Sequence, residues 1–550
     1  MSSIDGPTLT RALLAWRQAI GSSSVSTEAE ILKAAGTATF ATRRQVLAIL
    51  RPADRAQVQE CVRIANQFRV PIYPISTGKN WGYGSRAPVD DGVLLDLSRL
   101  NRILDFDETL AYVTVEPGVT QKQLYEFLQA HGSRLWMDAT GASPDCSIIG
   151  NTLERGFGHT PMGEHCNYVC GLEVILSSGE ILETGLARFP GAAAAPLSRW
   201  GVGPSLDGLF SQSNFGIVTR MSVWLMPVPE YFQAYYFQCE NADGVAGIID
   251  ALRPLRLDGT IRSTVHVGND YKVLASVRQY PWKEMNGKTP LDPTVKKDIC
   301  RDLRIASWSG SGGLYGTRDQ VRAARARVRS ALGGKVSRLV FVDDRRLRLM
   351  RRFATPFSFL MGWDVNRTLG LMMSLHGLLK GVPTEAPLAS TYWRKRSPAP
   401  EHPDPDRDGC GLIWCSPVLP NTGTHAAEIA RLIDDAVLSH GFEPMMSFSL
   451  VSERSIVCVA MIGYDREVAG EDERAFECHQ TLTRRLIDRG YPPYRLNVRS
   501  MNDLEDQTTY LAVLRSLKSA LDPKGILAPG RYEPGSPADG VTDRPATLAG

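Results

Sequence analysis

The chain of 550 residues contains no long hydrophobic run. No window approaches the roughly 18 to 20 uninterrupted apolar residues that a membrane span needs, so no membrane segment is expected. Residues Met1 to Gly21 lack a basic start followed by an apolar stretch, which predicts no signal peptide. The ten cysteines include no Cys-x-x-Cys pair, a pattern that fits free thiols in a reducing, cytoplasmic compartment. Cys166 and Cys170 stand four apart with His165 as their nearby companion, too small a set for a structural metal, and no metal is expected. Charge of one sign is lacking too. The formal net charge of +3 gives no support to nucleic-acid binding. The dense basic stretch is Arg322 to Arg329, continued by Arg345, Arg346, Arg348, Arg351 and Arg352. It reads as a solvated helix face, with a dock for an acidic electron acceptor as the alternative.

Walker and Rossmann glycine patterns are also missing, yet glycine-rich loops are present. Pro74-Ile75-Ser76-Thr77-Gly78-Lys79-Asn80-Trp81-Gly82-Tyr83-Gly84-Ser85-Arg86 follows a short apolar strand, Val70 to Tyr73, and holds three glycines within seven residues. Glycine lets backbone approach a ligand closely and offers N–H groups to phosphate oxygens. A second loop runs from Asp138 to Asn151, with Gly141, Pro144 and Gly150, and Gly156 and Gly158 follow. Several such turns around one diphosphate suggest a flavin adenine dinucleotide (FAD) site of the non-Rossmann kind.

The length predicts two domains, and 43% hydrophobic with 22% charged residues is the balance of a globular protein. Residues 1–40 read as a helical segment. Residues 41–230 alternate short strands with helices: Val46-Leu47-Ala48, a helix through Val58, Val62 and Ala65, strands at 93–97 and 111–115, and a helix from Gln121 to His131 with Thr120 as N-cap. Leu172 to Leu182 reads as a hairpin turning at Ser178-Gly179, and a last strand runs through Leu225. Pro227 and Pro229 mark a boundary. Beyond it, strands are expected near 233–238, 338–342 and 448–462, and helices at 425–440, 471–489 and 503–521. Ser397 to Gly409 holds four prolines and reads as an exposed loop, and residues 536–550 as a disordered tail.

Six motifs in order resemble one family. They are Gly78-Lys79-Asn80-Trp81-Gly82-Tyr83-Gly84, Val115-Glu116-Pro117-Gly118-Val119, Gly150-Asn151-Thr152-Leu153-Glu154-Arg155-Gly156, Gly203 to Phe210, Tyr494-Arg495 and Asp522 to Arg531. They are similar to the vanillyl-alcohol oxidase and para-cresol methylhydroxylase flavoproteins, the 4-phenol-oxidising, eugenol-oxidase-like group. The resemblance implies an α+β, two-domain fold of the para-cresol methylhydroxylase type. Residues 41–230 and a C-terminal return at 501–535 would form the FAD domain, with an α+β substrate cap at 231–500. It implies oxidation of para-substituted phenols at the benzylic carbon by hydride transfer to flavin N5, through a quinone methide. Tyr83, Tyr494 and either Arg495 or Arg531 would hold the phenolate. Ser76, Thr77, Gly78, Lys79, Asn80 and Gly82 would cradle the diphosphate. Ser147, Gly150 and Asn151 would lie nearby, and Ile217 with Gly216 on the adenine side. A homodimer is the family expectation.

Three departures qualify the likeness. Some members bond the flavin to a histidine, whereas this chain has Leu412 at that place and no histidine between Gly409 and Pro417. Non-covalent FAD is therefore expected, with a bond through Tyr392, in Tyr392-Trp393-Arg394, as the alternative. The aspartate near flavin N5 in the alcohol oxidases is replaced by Ala142 or Ser143, and Asp145 could serve as base only from a shifted loop. A glutamate of the hydroxylase branch is replaced by Ser447. That makes the substrate end less acidic, while Met445, Met446 and Phe448 read as core. The acceptor is left open between O2 and a cytochrome. A hydroxy-acid or sugar dehydrogenase of the same fold is the rival reading, as is a flavoprotein subunit dependent on a cytochrome.

Overall fold

The computed structural model describes residues 4–42, 44–361, 365–504 and 508–533; the tail expected at 536–550 lies outside them. Three larger sheets, with a two-stranded pairing of Met226–Pro227 and Leu135–Trp136, organise the described residues. The first orders its strands Val25–Ser26, Val46–Leu50, Gly92–Asp96, Ile72–Ile75. The last three run parallel, and their Val, Ile and Leu runs are buried, as a parallel sheet requires. Helix Arg55–Phe68 starts where the Asp54 carboxylate accepts from Gln57 N–H, and it buries Val58, Cys61, Val62, Ile64 and Ala65. Helix Gly6–Ile20 packs on it through Ala12 and Trp16, whose indole N–H donates to the Cys61 carbonyl at 3.1 Å.

The second sheet is antiparallel, in the order Ile103–Asp107, Tyr112–Val115, Ile217–Trp224, Val169–Ile175, Ile181–Glu183. The expected hairpin is its edge, and Thr120 caps helix Gln121–Ala130 as read from the sequence. The far end of the chain returns to the first sheet. Ile72 N–H donates to the Ile526 carbonyl (2.8 Å) and Ala528 N–H to the Ile72 carbonyl (2.9 Å). Helix Thr508–Leu521 precedes this return. The Lys518 ammonium is buried beneath it, donating to Asp522 Oδ2 and to the Asn214 and Leu527 carbonyls.

The third sheet is antiparallel and large. Its strands run in the order Arg338–Val342, Tyr231–Cys239, Trp308–Gly316, Val265–Asn269, Met445–Leu450, Ser455–Asp465, Cys410–Cys415. Helices Val245–Leu257, Arg318–Leu332, Gly423–Ser439 and Glu471–Asp488 accompany it. The two-residue period of a strand divides its faces. Val265, Val267, Met446, Phe448, Cys458, Ala460, Ile413 and Cys415 enter one apolar core. Their alternates, His266, Gly268, Ser447, Ser449, Val459 and Trp414, line a cavity on the opposite face.

Two sequence expectations need correction. The strand expected across 448–462 is two strands. The chain reverses at Val451 to Arg454, where Ser452 Oγ accepts from Ser455 N–H (3.0 Å), a hydroxyl-mediated turn without the glycine or proline that would flag it. The proline-rich loop is exposed from Arg396 to His402, but its acidic second half folds inward. Lys79 Nζ pairs with Asp404 (2.9 Å), while Ser85 Oγ (2.8 Å) and Trp81 Nε1 (3.2 Å) donate to Asp406. The loop thus clamps the outer side of the first glycine loop. The basic run lies on helix Arg318–Leu332. Arg325 and Arg329 there stack on Phe341 at 5.0 and 5.5 Å, while Val321, Val328 and Leu332 enter the core.

Candidate active site

A cavity of about 1210 Å³ lies between the third sheet and the loops of the other two. One wall is mostly backbone. Residues 73–81, the end of strand Ile72–Ile75 and the loop after it, run along it, and Ser147, Gly150 and Asn151 also line the cavity. Ser147 Oγ accepts from Gly150 N–H and donates to the Pro117 carbonyl, and Ser147 N–H donates to Thr77 Oγ1, which ties the loops together. Gly78 has φ +70°, and a Cβ there would strike the Arg86 side chain. At Gly150 a Cβ would sit 2.4 Å from Ser76 Oγ. Among the described residues, the backbone N–H groups of Gly78, Lys79 and Asn80 have no protein acceptor. Unpaired donors on a glycine turn fit a diphosphate.

The other side carries charge and hydroxyls. Tyr83 and Tyr494 both line the cavity. Tyr83 is held by its carbonyl, which accepts from Val498 N–H, and by its hydroxyl, 2.9 Å from Ser416 Oγ. Tyr494 N–H donates to the Ser416 carbonyl, so one residue anchors both tyrosines. Burial pushes both phenols up, Tyr83 far above its ordinary value. The Arg495 guanidinium offsets part of that rise in each. Arg495 lies 4.2 Å from the centre of the Tyr83 ring, with Nη2 on Asn80 Oδ1 (2.6 Å) and Nε on Glu154 Oε2 (3.1 Å). Arg531 also pairs with Glu154, and the Tyr532 hydroxyl donates to it at 2.8 Å. Burial raises the Glu154 carboxyl, but Arg531 and Arg495 outweigh it and bring it down to about 2. Two guanidiniums therefore share one carboxylate, leaving net positive charge beside the tyrosine pair.

Of the residues expected at the site, Ser76, Thr77, Gly78, Lys79, Asn80, Ser147, Gly150, Asn151, Ile217, Tyr83, Tyr494, Arg495 and Arg531 all line the cavity. Three do not. Gly82 N–H is used by Thr39 Oγ1 (2.9 Å), and Trp414 packs against its Cα, so it is a packing glycine rather than a phosphate donor. Asp145 is exposed outside the cavity because the turn after Pro144 directs it to solvent. Tyr392 also lies off the cavity wall, buried, with its hydroxyl donated to Asp408 (2.6 Å). Leu412 is core. Met445, Met446 and Phe448 are core as well, and Ser447 faces the cavity.

Sequence reasoning missed several groups. Asn151 is oriented by a buried relay, its Oδ1 2.6 Å from His165 Nδ1, with His165 Nε2 2.7 Å from Asp138. His159 and His266 line the cavity with rings 4.4 Å apart, and burial lowers both, favouring the neutral form. Lys272, on helix Asp270–Val277, reaches the cavity too, where burial brings its ammonium down to about 8. Glu154 stands inside one of the six motifs, but its motif position gave it no role. The histidines and Lys272 had no spacing signal, because a single polar residue on a strand or short helix is common.

Comparison with known proteins places this architecture. The profile of an FAD binding domain matches residues 46–185. Over 528 residues the chain is 46% identical to 1'-carboxy-chondrochloren decarboxylase of Chondromyces crocatus, covering 96% of this chain and 97% of that protein. It is 33% identical over 488 residues to the 4-cresol dehydrogenase [hydroxylating] flavoprotein subunit of Pseudomonas putida, covering 86% and 85%. The solved structure of p-cresol methylhydroxylase with substrate bound superposes with TM-score 0.87 at 28% identity, covering 97% of this chain and 98% of that one. The 4-ethylphenol oxidase from Gulosibacter chungangensis, in complex with isoeugenol, gives 0.88 at 28% identity, covering 97% and 99%. The fold is that of the two-domain FAD flavoproteins. The chain belongs to the p-cresol methylhydroxylase family of FAD-dependent oxidoreductases, and FAD is its cofactor.

Proposed function

We propose that this flavoprotein oxidises para-substituted phenols, 4-alkylphenols or 4-hydroxybenzyl alcohols, at the benzylic carbon. The observation that carries the reading is the convergence of Tyr83, Tyr494 and Arg495 on one cavity, beside a glycine loop that suits a diphosphate. A phenol has a pKa of roughly 10. The buried tyrosines keep their own protons, so they act as donors, and an incoming phenol is the group that ionises beside Arg495. The enclosed site strengthens each of these hydrogen bonds. Arg531 holds Glu154 and thereby sets Arg495; its place is one residue removed from the phenolate. Bound FAD supplies the acceptor for the benzylic hydride. Tyr392 lies off the cavity wall with its hydroxyl on Asp408, which favours a cofactor held without a covalent bond to it. Thr77 to Asn80 and Asn151 would hold its diphosphate and ring.

After hydride loss, the product depends on the substrate. Water addition to the quinone methide gives an alcohol. The 46% identical relative, named a decarboxylase of a carboxylated compound, favours a second outcome. If a carboxylate sits on the carbon next to the benzylic one, its C–C bond can break. The electron pair forms a new side-chain double bond, the ring regains a phenolate, and CO2 leaves. Electrons then pass to O2 or to a cytochrome, and a dimer is the proposed assembly.

The test is anaerobic mixing with 4-ethylphenol while following the visible flavin absorbance, then admission of air. Bleaching supports phenol oxidation. Fast recovery in air marks an oxidase, slow recovery a dehydrogenase awaiting another acceptor. An unbleached, bound flavin moves the search to hydroxy acids and sugars.

A further inference from the structure

The cavity is cationic beyond what a diphosphate and a phenolate use. Glu154 is the one carboxylate among its described lining residues, and Arg495 and Arg531 already neutralise it. Lys272 differs from Lys79, Arg495 and Arg531, each of which pairs with a carboxylate. It sits at the third-sheet floor, between Gly268, 3.6 Å from its Cγ when a Cβ is built there, and the Trp414 ring, 5.5 Å from Nζ. Its protein hydrogen-bond partner is Ser390 Oγ at 3.0 Å, and no carboxylate pairs with it among the described residues. An unpaired ammonium in an enclosed wall is costly to desolvate. Such a group is kept where something else supplies the counter-charge.

The same indole joins Lys272 to the phenol end. Trp414 N–H donates to the Gly82 carbonyl (3.3 Å) and its Nε1 to the Trp81 carbonyl (3.1 Å), immediately before Tyr83. We infer that Lys272 is a second anion site, receiving a carboxylate on the para side chain of a phenol whose ring oxygen is held by Tyr83, Tyr494 and Arg495. The substrate class is then a phenol with an acidic side chain. This rests on the phenol reading above and narrows it. The elements packed on the Lys272 helix bring no competing acid among their described residues. They contribute His266, Tyr315, His376 and Tyr392, and strand Met445–Leu450 carries no titratable residue. Depression of the ammonium to about 8 by burial alone agrees with the absence of a partner.

The test uses purified holoenzyme and two ligands that have an ether oxygen in place of the benzylic carbon and so yield no benzylic hydride. These are 4-hydroxyphenoxyacetate and the uncharged 4-ethoxyphenol. Binding is read from the shift of the flavin's visible spectrum. The acid is expected to bind the wild type more tightly than the neutral ether. Lys272→Met should weaken the acid at least about tenfold while leaving 4-ethoxyphenol within about twofold, and Lys272→Arg should recover part of the loss. Equal weakening of both ligands, or an altered spectrum without ligand, would overturn the assignment and make Lys272 a flavin or structural residue. No preference for the acid in the wild type would overturn it too. If neither ligand binds and 4-ethylphenol fails to bleach the flavin, the phenol reading itself fails.

Discussion

The two walls of the cavity are made differently. The wall proposed for the cofactor is backbone: a turn with positive φ at Gly78, helix Ile148–Leu153 where a Cβ at Gly150 would meet Ser76, and N–H groups of Gly78, Lys79 and Asn80 without a protein acceptor among the described residues. The floor proposed for the substrate is side chains on alternate strand positions, His266, Ser447, Ser449 and Trp414. A backbone wall constrains residue type tightly, because one added carbon fills it. A side-chain floor accepts almost any residue on the same β-scaffold. The first conserves what is bound; the second lets related proteins bind different substrates.

Substitutions at the junction of the walls should have the largest effect. Replacing Arg495 with Met removes the cation beside the tyrosines, and we expect anaerobic flavin reduction by 4-ethylphenol to slow by about 10²–10³-fold. Tyr494→Phe should cost about 10-fold or more in the same stopped-flow experiment. Unchanged rates in both would dissociate this corner from the chemistry.

Next comes the backbone wall. Gly150→Ala places a carbon 2.4 Å from Ser76 Oγ. The purified variant should carry much less flavin per chain, read from the ratio of visible to ultraviolet absorbance. By contrast Ser447→Ala, on the floor, should keep its flavin and change substrate preference by only a few-fold. Equal flavin loss in both would erase the distinction between the walls.

A smaller effect is expected at Asp406, in the loop that clamps the cofactor wall from outside. Burial, with Asp404 nearby, raises its carboxyl to about 7. Its folded value lies above the unfolded one, so this group favours the fold at low pH and loses that contribution as pH rises through about 7. Asp406→Asn should therefore raise the melting temperature by a few degrees at pH 8 and by less at pH 5. A larger gain at pH 5 would contradict the assignment.

The same contrast explains what could be read from the sequence. Thr77, Gly78, Asn80, Ser147 and Gly150, expected at the diphosphate, line one cavity, and they were legible because glycine and Ser/Thr signals are written locally. Gly82 was misread because a packing glycine and a binding glycine look alike until Trp414 is seen against one of them. The sequence offers Asp145 as a base only from a shifted loop and Tyr392 as the nearest counterpart of a linking tyrosine; the turn after Pro144 leaves the first exposed, and the second is buried with its hydroxyl on Asp408. His266 reaches the cavity on a strand paired with another nearly two hundred residues on, and Lys272 on the helix that follows that strand, which no local pattern records. The acidic half of the proline-rich loop looked solvent-facing because its partners, Lys79 and Ser85, lie over three hundred residues away.

The return of Ile526–Ala528 to Ile72 has a consequence in time. Ile72 lies four residues before Ser76, and Leu527 and Ala528 themselves form part of the cavity wall. During synthesis the third sheet can assemble while this wall still lacks its last strand-like segment. The wall proposed for the cofactor is therefore complete only after residue 528 has been made, and a truncation before Ile526 is expected to remove cofactor capture before it removes the floor built on the third sheet.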